Sequence, residues 1–166
     1  GYEDIHKLTY ITAALNETLR LYPAIINISR HAPVDTQMNI GSGKTISVPA
    51  DTRVGIHVPG LHYSPKYWND PFDFDPSRFL NPNWNRDAFV PFAVGSRACI
   101  GRRFAETTIV AVLVRLLPRY RVSIYEGIFK PIPGESIVDR RERFMQARTI
   151  LTLTPGKLPL VFTPRN

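Results

Sequence analysis

PFAVGSRACIGRRF, residues 91–104, contains the only cysteine of the chain. The run from Ile100 to about Leu117 is strongly apolar and ends at Pro118, which predicts a helix. Cys99 then stands at the mouth of that helix, where the dipole and the free N–H groups favour a thiolate. Gly95 allows a tight turn with positive φ. Gly101 has no side chain, so a flat partner can approach the backbone. Arg97 offers a fixed fork to a carboxylate, and Phe92 is placed to shield the sulfur from water.

Length and composition bound what surrounds this loop. The 166 residues suffice for one domain with a real core. A lone cysteine cannot form an internal disulfide, which points to a reducing compartment or a cofactor role for the thiol. No run approaches the roughly 18–20 apolar residues of a membrane span, and no signal peptide is visible. The first residue is Gly1, and GYEDIHKLTY runs straight into a helical pattern, so the chain reads as a piece of something longer. The net charge of +7 fits a basic docking face for an acidic partner. No run of Lys and Arg with interleaved aromatics speaks for nucleic acid.

Upstream, Ile5, Leu8, Ile11, Thr12, Leu15, Thr18 and Leu19 predict an amphipathic helix over 4–21, capped by Asp4 and ended by Pro23. Residues 24–58 read as strands, with turns at 41–44 and at Pro49-Ala50-Asp51. The GSGK turn lacks the full spacing of a phosphate loop. Residues 59–91 form a proline- and aromatic-rich meander. Tyr120–Ile124 reads as a strand and 134–147 as a charged, weakly helical insertion. Residues 150–165 read as a hairpin turning at Pro155-Gly156-Lys157.

Three roles suit Cys99: a small buried hydrophobe, a nucleophile that would need a positioned base, or the axial thiolate of a haem iron. Phe92, Gly95, Arg97, Cys99 and Gly101 have the spacing FxxGxRxCxG, which resembles the haem-binding loop of cytochrome P-450 enzymes at every defined position. Glu17 and Arg20, an i,i+3 pair on the first helix, resemble that family's ExxR motif. Arg78 in Asp75-Pro76-Ser77-Arg78-Phe79 resembles the arginine that completes its Glu-Arg-Arg triad, with Ser77 where the family often has Glu.

The resemblance runs through the whole chain and implies an α+β portion, 1–166, of a mainly α parent fold. In order come helix K, a small β-sheet, the meander, the cysteine loop, helix L and a terminal β-hairpin. The match is to the C-terminal part of a eukaryotic, fungal-like member, with helix I and a membrane anchor expected upstream. Ala105-Glu106-Thr107-Thr108 is only a lookalike of the helix I acid–alcohol pair, because it begins six residues after Cys99 on the thiolate side. The resemblance further implies haem b on Cys99, with Arg30 and Arg97 at its propionates. Ile25, Ile28, Leu151 and Thr152 correspond to the substrate pocket, and His62 to a packing position in an HxxPxxW stretch.

The implied activity is a monooxygenase that inserts one oxygen atom of O2 into a hydrophobic substrate. Electrons would come from NADPH through a flavoprotein reductase docked on the basic face near Arg102 and Arg103. The implied location is the cytosolic face of the endoplasmic reticulum membrane. The alternative is a non-catalytic truncated piece lacking the distal, oxygen-activating half.

Overall fold

The computed structural model describes residues 7–40, 42–149 and 152–165. Helix α1 spans Thr9–Leu21 and closes at Tyr22, whose N–H donates to Thr18 O at 2.8 Å just before Pro23. Asp4, the expected cap, lies outside the described residues, and Leu8 holds the N-cap position without a side-chain bond. The buried face also differs from the apolar spacing. Leu8, Ile11 and Leu19 are half-buried and Thr18 is exposed, whereas Ala13, Glu17, Arg20 and Leu21 are buried together with Leu15. The charged pair takes the inner face because its partners there neutralise and hydrogen-bond it.

Four strands follow as two nested hairpins. β1 (Asn27–Ala32) pairs antiparallel with β4 (Thr52–His57), and between them β2 (Thr36–Asn39) pairs with β3 (Thr45–Val48). The turn from β2 to β3 has Ser42 and Gly43 at φ 49° and 72°, and Gly41 of the expected 41–44 turn lies outside the described residues. Asp51, at φ 61°, completes the turn into β4.

A short helix α2 (Val58–His62) opens the meander. Beyond it the helical segments before the cysteine loop are two short 3-10 helices, at Pro76–Phe79 and Arg86–Ala88, set among turns. Aromatic packing gives this segment its shape. Phe79 lies 4.9 Å from Phe89 and 5.0 Å from Trp84 between ring centroids, and Trp68 packs on all three. Trp68 Nε1 donates to Leu61 O at 3.1 Å. A second small core joins Ile28, Val58 and Val90.

Helix α3 spans Arg102–Leu116, within the expected 100–117, and lies against α1. β5 (Tyr120–Ile124) has the predicted bounds, and α4 (Ile137–Phe144) occupies the charged insertion, capped by the Ser136 side chain accepting from Asp139 N–H. The expected hairpin over 150–165 is not formed. β7 (Leu153–Pro155) pairs with β6 (Ala147–Thr149), while β8 (Leu160–Pro164) pairs with β5. Pro155 and Pro159 flank the turn and have no N–H for a ladder across it. β8 instead meets a strand whose side chains match its own, with Phe162 edge-on to Tyr120 at 6.3 Å.

Trp68→Ala empties the centre of the aromatic cluster and leaves Leu61 O without its donor. A loss of about 3–5 kcal/mol in unfolding free energy is expected from urea titration followed by circular dichroism.

Candidate functional site

Glu17 and Arg20 are fully buried on α1. Arg20 Nε and Nη2 donate to the two oxygens of Glu17 at 2.7 and 2.8 Å, a bidentate pair. Nη1 donates to His62 O at 2.8 Å and Pro71 O at 2.6 Å, and Nη2 also reaches Asp73 O at 3.2 Å. All five guanidinium N–H donors are thereby used. Glu17 Oε1 further accepts from Arg78 Nε at 3.1 Å and from Asp75 N–H at 2.9 Å. Arg78 spends three of its four remaining donors on Asn69 O at 2.7 Å, Asp70 O at 3.2 Å and Asp73 O at 3.4 Å. The two arginines thus gather main-chain carbonyls from a stretch that has no strand to pair them.

Ser77, where the resemblance led one to expect Glu, donates its hydroxyl to Asp75 Oδ1 at 2.6 Å. The same oxygen accepts from Ser77 N–H at 2.9 Å and caps the 3-10 turn that presents Arg78. These bonds hold the Asp75 carboxyl below its usual range, the Ser77 hydroxyl contributing most.

His62 is also fully buried. Val90 N–H donates to its Nε2 at 3.0 Å, so that nitrogen carries no hydrogen, and Nδ1–H, 3.1 Å away, donates to Arg20 O. The ring stacks on Phe89 at 5.4 Å. Burial pulls its pKa down to about 4 against the raising effect of its bond to Arg20 O, and the Arg20 charge lowers it further. Read from the sequence as a packing residue, His62 is a polar hub. The HxxPxxW stretch was the visible signal.

The cysteine loop runs from Pro91 to Gly101. Ala93 and Gly95 take left-handed φ of 57° and 75°, and Gly95–Arg97 forms a 3-10 turn. Cys99 N–H donates to Phe92 O at 2.8 Å, Ala98 N–H to Gly95 O at 3.0 Å and Arg102 N–H to Cys99 O at 3.3 Å. The Cys99 side chain is exposed. A Cβ on Gly101 would stand 3.9 Å from Cys99 Sγ with nothing else within 4 Å, so this glycine leaves the flank of the sulfur bare. Phe92 is half-buried, with the Arg102 guanidinium 5.8 Å from its ring centre. Arg102 also pairs with Glu106 at 2.9 Å, which offsets part of its charge, and Arg97 and Arg103 are exposed. Arg30 Nη2 reaches across from β1 to Val94 O at 3.4 Å. An accessible thiol, a bare flank and two arginines on or reaching the loop fit a flat, carboxylate-bearing ring ligated through sulfur.

The pocket positions are less gathered. Ile25 and Thr152 are exposed, and Leu153 N–H donates to Ala24 O at 2.8 Å, which joins their two segments. Ile28 is buried against Val58 and Val90 in the core, and Leu151 lies outside the described residues. A cavity of about 1100 Å3 opens between α1, β5 and α4, lined by Tyr22, Phe74, Ile124 and Phe144 among others, and no cysteine-loop residue lines it.

Comparison with known proteins adds to this geometry. The family model described as Cytochrome P-450 matches residues 1–145. Cytochrome P-450 monooxygenase 124 of Postia placenta is 45% identical over 169 residues, covering 99% of this chain and 32% of that protein. Human cytochrome P-450 3A5 is 34% identical over 121 residues, covering 72% of this chain and 23% of that protein. The crystal structure of a mutant cytochrome P-450DA haem domain superposes with a TM-score of 0.74 at 26% identity, covering all of this chain and 33% of that one. The chain spans about a third or less of the length of these relatives.

Glu17→Gln removes the charge that compensates two guanidiniums, one of them fully buried. It is expected to cost about 3–5 kcal/mol in thermal or urea unfolding. His62 gives a pH dependence of definite sign. The unfolded imidazole takes up its proton near pH 6.5, and the buried ring only near pH 4. The unfolded chain therefore holds the extra proton between these values, and stability is full above pH 6.5 and falls on acidification, by about 3 kcal/mol once pH 4 is passed. Urea midpoints measured from pH 7 to pH 4 should show this slope, and His62→Gln should flatten it.

Proposed function

The chain belongs to the cytochrome P-450 family, and on that premise we propose that it supplies the thiolate side of a haem-thiolate monooxygenase acting on a hydrophobic substrate. The observation that carries this reading is the exposed Cys99 side chain, with its N–H tied to Phe92 O and its flank left bare by Gly101. When bound there, haem b supplies an iron centre at which O2 is activated and one oxygen atom is transferred to substrate, with electrons from NADPH through a flavoprotein reductase.

The residues of the chain divide the remaining work. Cys99 supplies the sulfur ligand. Phe92, in the loop beside the Arg102 guanidinium, limits water at the sulfur. Arg30 and Arg97 bind the two propionates. Glu17, Arg20 and Arg78 do not touch the reaction, and they hold the meander from which the loop departs. Ile25 and Thr152 border the substrate, whose hydrophobic character follows from the apolar segment after α1.

Arg103, with Arg102 in part, contributes to a basic surface for an acidic reductase. We place the parent protein at the cytosolic face of the endoplasmic reticulum, by its resemblance to eukaryotic membrane-bound members. Among the described residues no helix is long and apolar enough to cross a membrane.

A second reading is that the chain by itself is a non-catalytic piece. The exposure of Ile100, Phe104 and Val112 favours it, since an apolar face of this kind needs cover that the described residues do not provide.

Haem titration of the purified protein, followed by the spectrum of the dithionite-reduced carbon monoxide complex, separates the readings. A red-shifted, thiolate-type Soret band that is lost in Cys99→Ala is the expected result for the first. The same band persisting in Cys99→Ala would overturn the assignment of the ligand, and its absence from the unmutated chain would favour the second.

A further inference from the structure

The cysteine loop hangs from a short ledge. Cys99 N–H donates to Phe92 O at 2.8 Å, and Ala93 N–H donates to Val90 O at 3.1 Å. Pro91, between Val90 and Phe92, has no N–H to anchor the ledge, while both the N–H and the C=O of Val90 hold it. Val90 is buried, and its N–H donates to His62 Nε2 at 3.0 Å. The opposite ring nitrogen donates to Arg20 O at 3.1 Å, while Arg20 Nη1 donates back to His62 O at 2.8 Å. Arg20 and His62 are therefore locked reciprocally, each by side chain to the other's carbonyl. One imidazole spans the gap between the buried Glu17–Arg20 pair and the ledge of the loop.

We propose that His62 is the positioning residue of the cysteine loop, fixing where Cys99 stands relative to α1 through its two opposed ring hydrogen bonds. This rests on the reading of Cys99 as the haem ligand. Replacing the ring by an apolar one of similar size keeps the stack on Phe89 but leaves a buried donor on Val90 and a buried acceptor on Arg20 unpaired. The ledge is then free to shift, and the sulfur with it.

The test uses the haem-bound protein with His62→Phe and His62→Gln, and Leu15→Ala as a comparison that loosens α1 away from the bridge. Two quantities are read: amide hydrogen exchange at Val90 and Cys99, and the ratio of red-shifted to unshifted Soret band in the carbon monoxide complex. In His62→Phe both amides are expected to exchange about tenfold faster than in Leu15→Ala, as loss of one buried hydrogen bond implies. The unshifted band should grow several-fold, with a smaller change in His62→Gln, which can remake one bond. Both His62 variants matching Leu15→Ala in the two readouts would overturn the proposal. If His62→Phe fails to fold, His62→Gln decides by the same comparison. If the unmutated protein shows no red-shifted band, the chain by itself is the non-catalytic piece and amide exchange decides alone: the positioning stands if the Cys99 amide loses protection in the His62 variants and fails if it does not.

Discussion

A carboxylate with no access to water holds this structure together. Glu17 is fully buried and accepts from two guanidiniums and a backbone amide. Burial of such a group is costly unless every lone pair and donor around it is met. Here they are met by a segment that otherwise lacks partners for its own carbonyls. The desolvation cost of the charges and the hydrogen-bond deficit of the meander offset one another. Neither half is stable in this arrangement without the other, which is why α1 and the 3-10 turn bearing Arg78 pack together.

That constraint reaches the cysteine loop by way of the backbone. Left-handed φ at Ala93 and Gly95, within three residues, makes the loop a strained excursion rather than a relaxed turn, and a non-glycine residue at φ 57° is uncommon. It persists because both ends are fixed: one by Val90 on His62, the other by the start of α3. An exposed sulfur on a strained but well-tied loop suits a ligand that must be accessible and stay in one place.

Much of this was legible in the residues. The spacing around Cys99 pointed to the loop and its left-handed Gly95, and the bounds of β5 followed from its β-branched pattern. The pairing of Glu17 with Arg20 was visible as an i,i+3 relation. Its burial was legible too, from the apolar surface of the helix that carries it, although hydrophobic periodicity alone scores Glu and Arg as outward-facing. The partner of β8 was misread. Two apolar runs around a Pro-Gly turn look like a hairpin, yet the prolines that mark the turn also remove the donors it would need. The HxxPxxW stretch marked His62, but nothing local to LHYSPKYW shows that its ring bridges residues 20 and 90.

The separation of those contacts along the chain governs the order of assembly. Arg20 meets His62 across 42 positions, and Glu17 meets Arg78 across 61. At a synthesis rate of roughly 5–20 residues per second, α1 waits several seconds on the ribosome with its charged stripe still hydrated. During that time the helix lacks the meander contacts that later bury its charged stripe. The loop bearing Cys99 is made after Arg78, so the lock can close before the sulfur emerges. The thiol then joins a frame that is already set, which shortens its exposure to oxidants and to stray metal while still untethered.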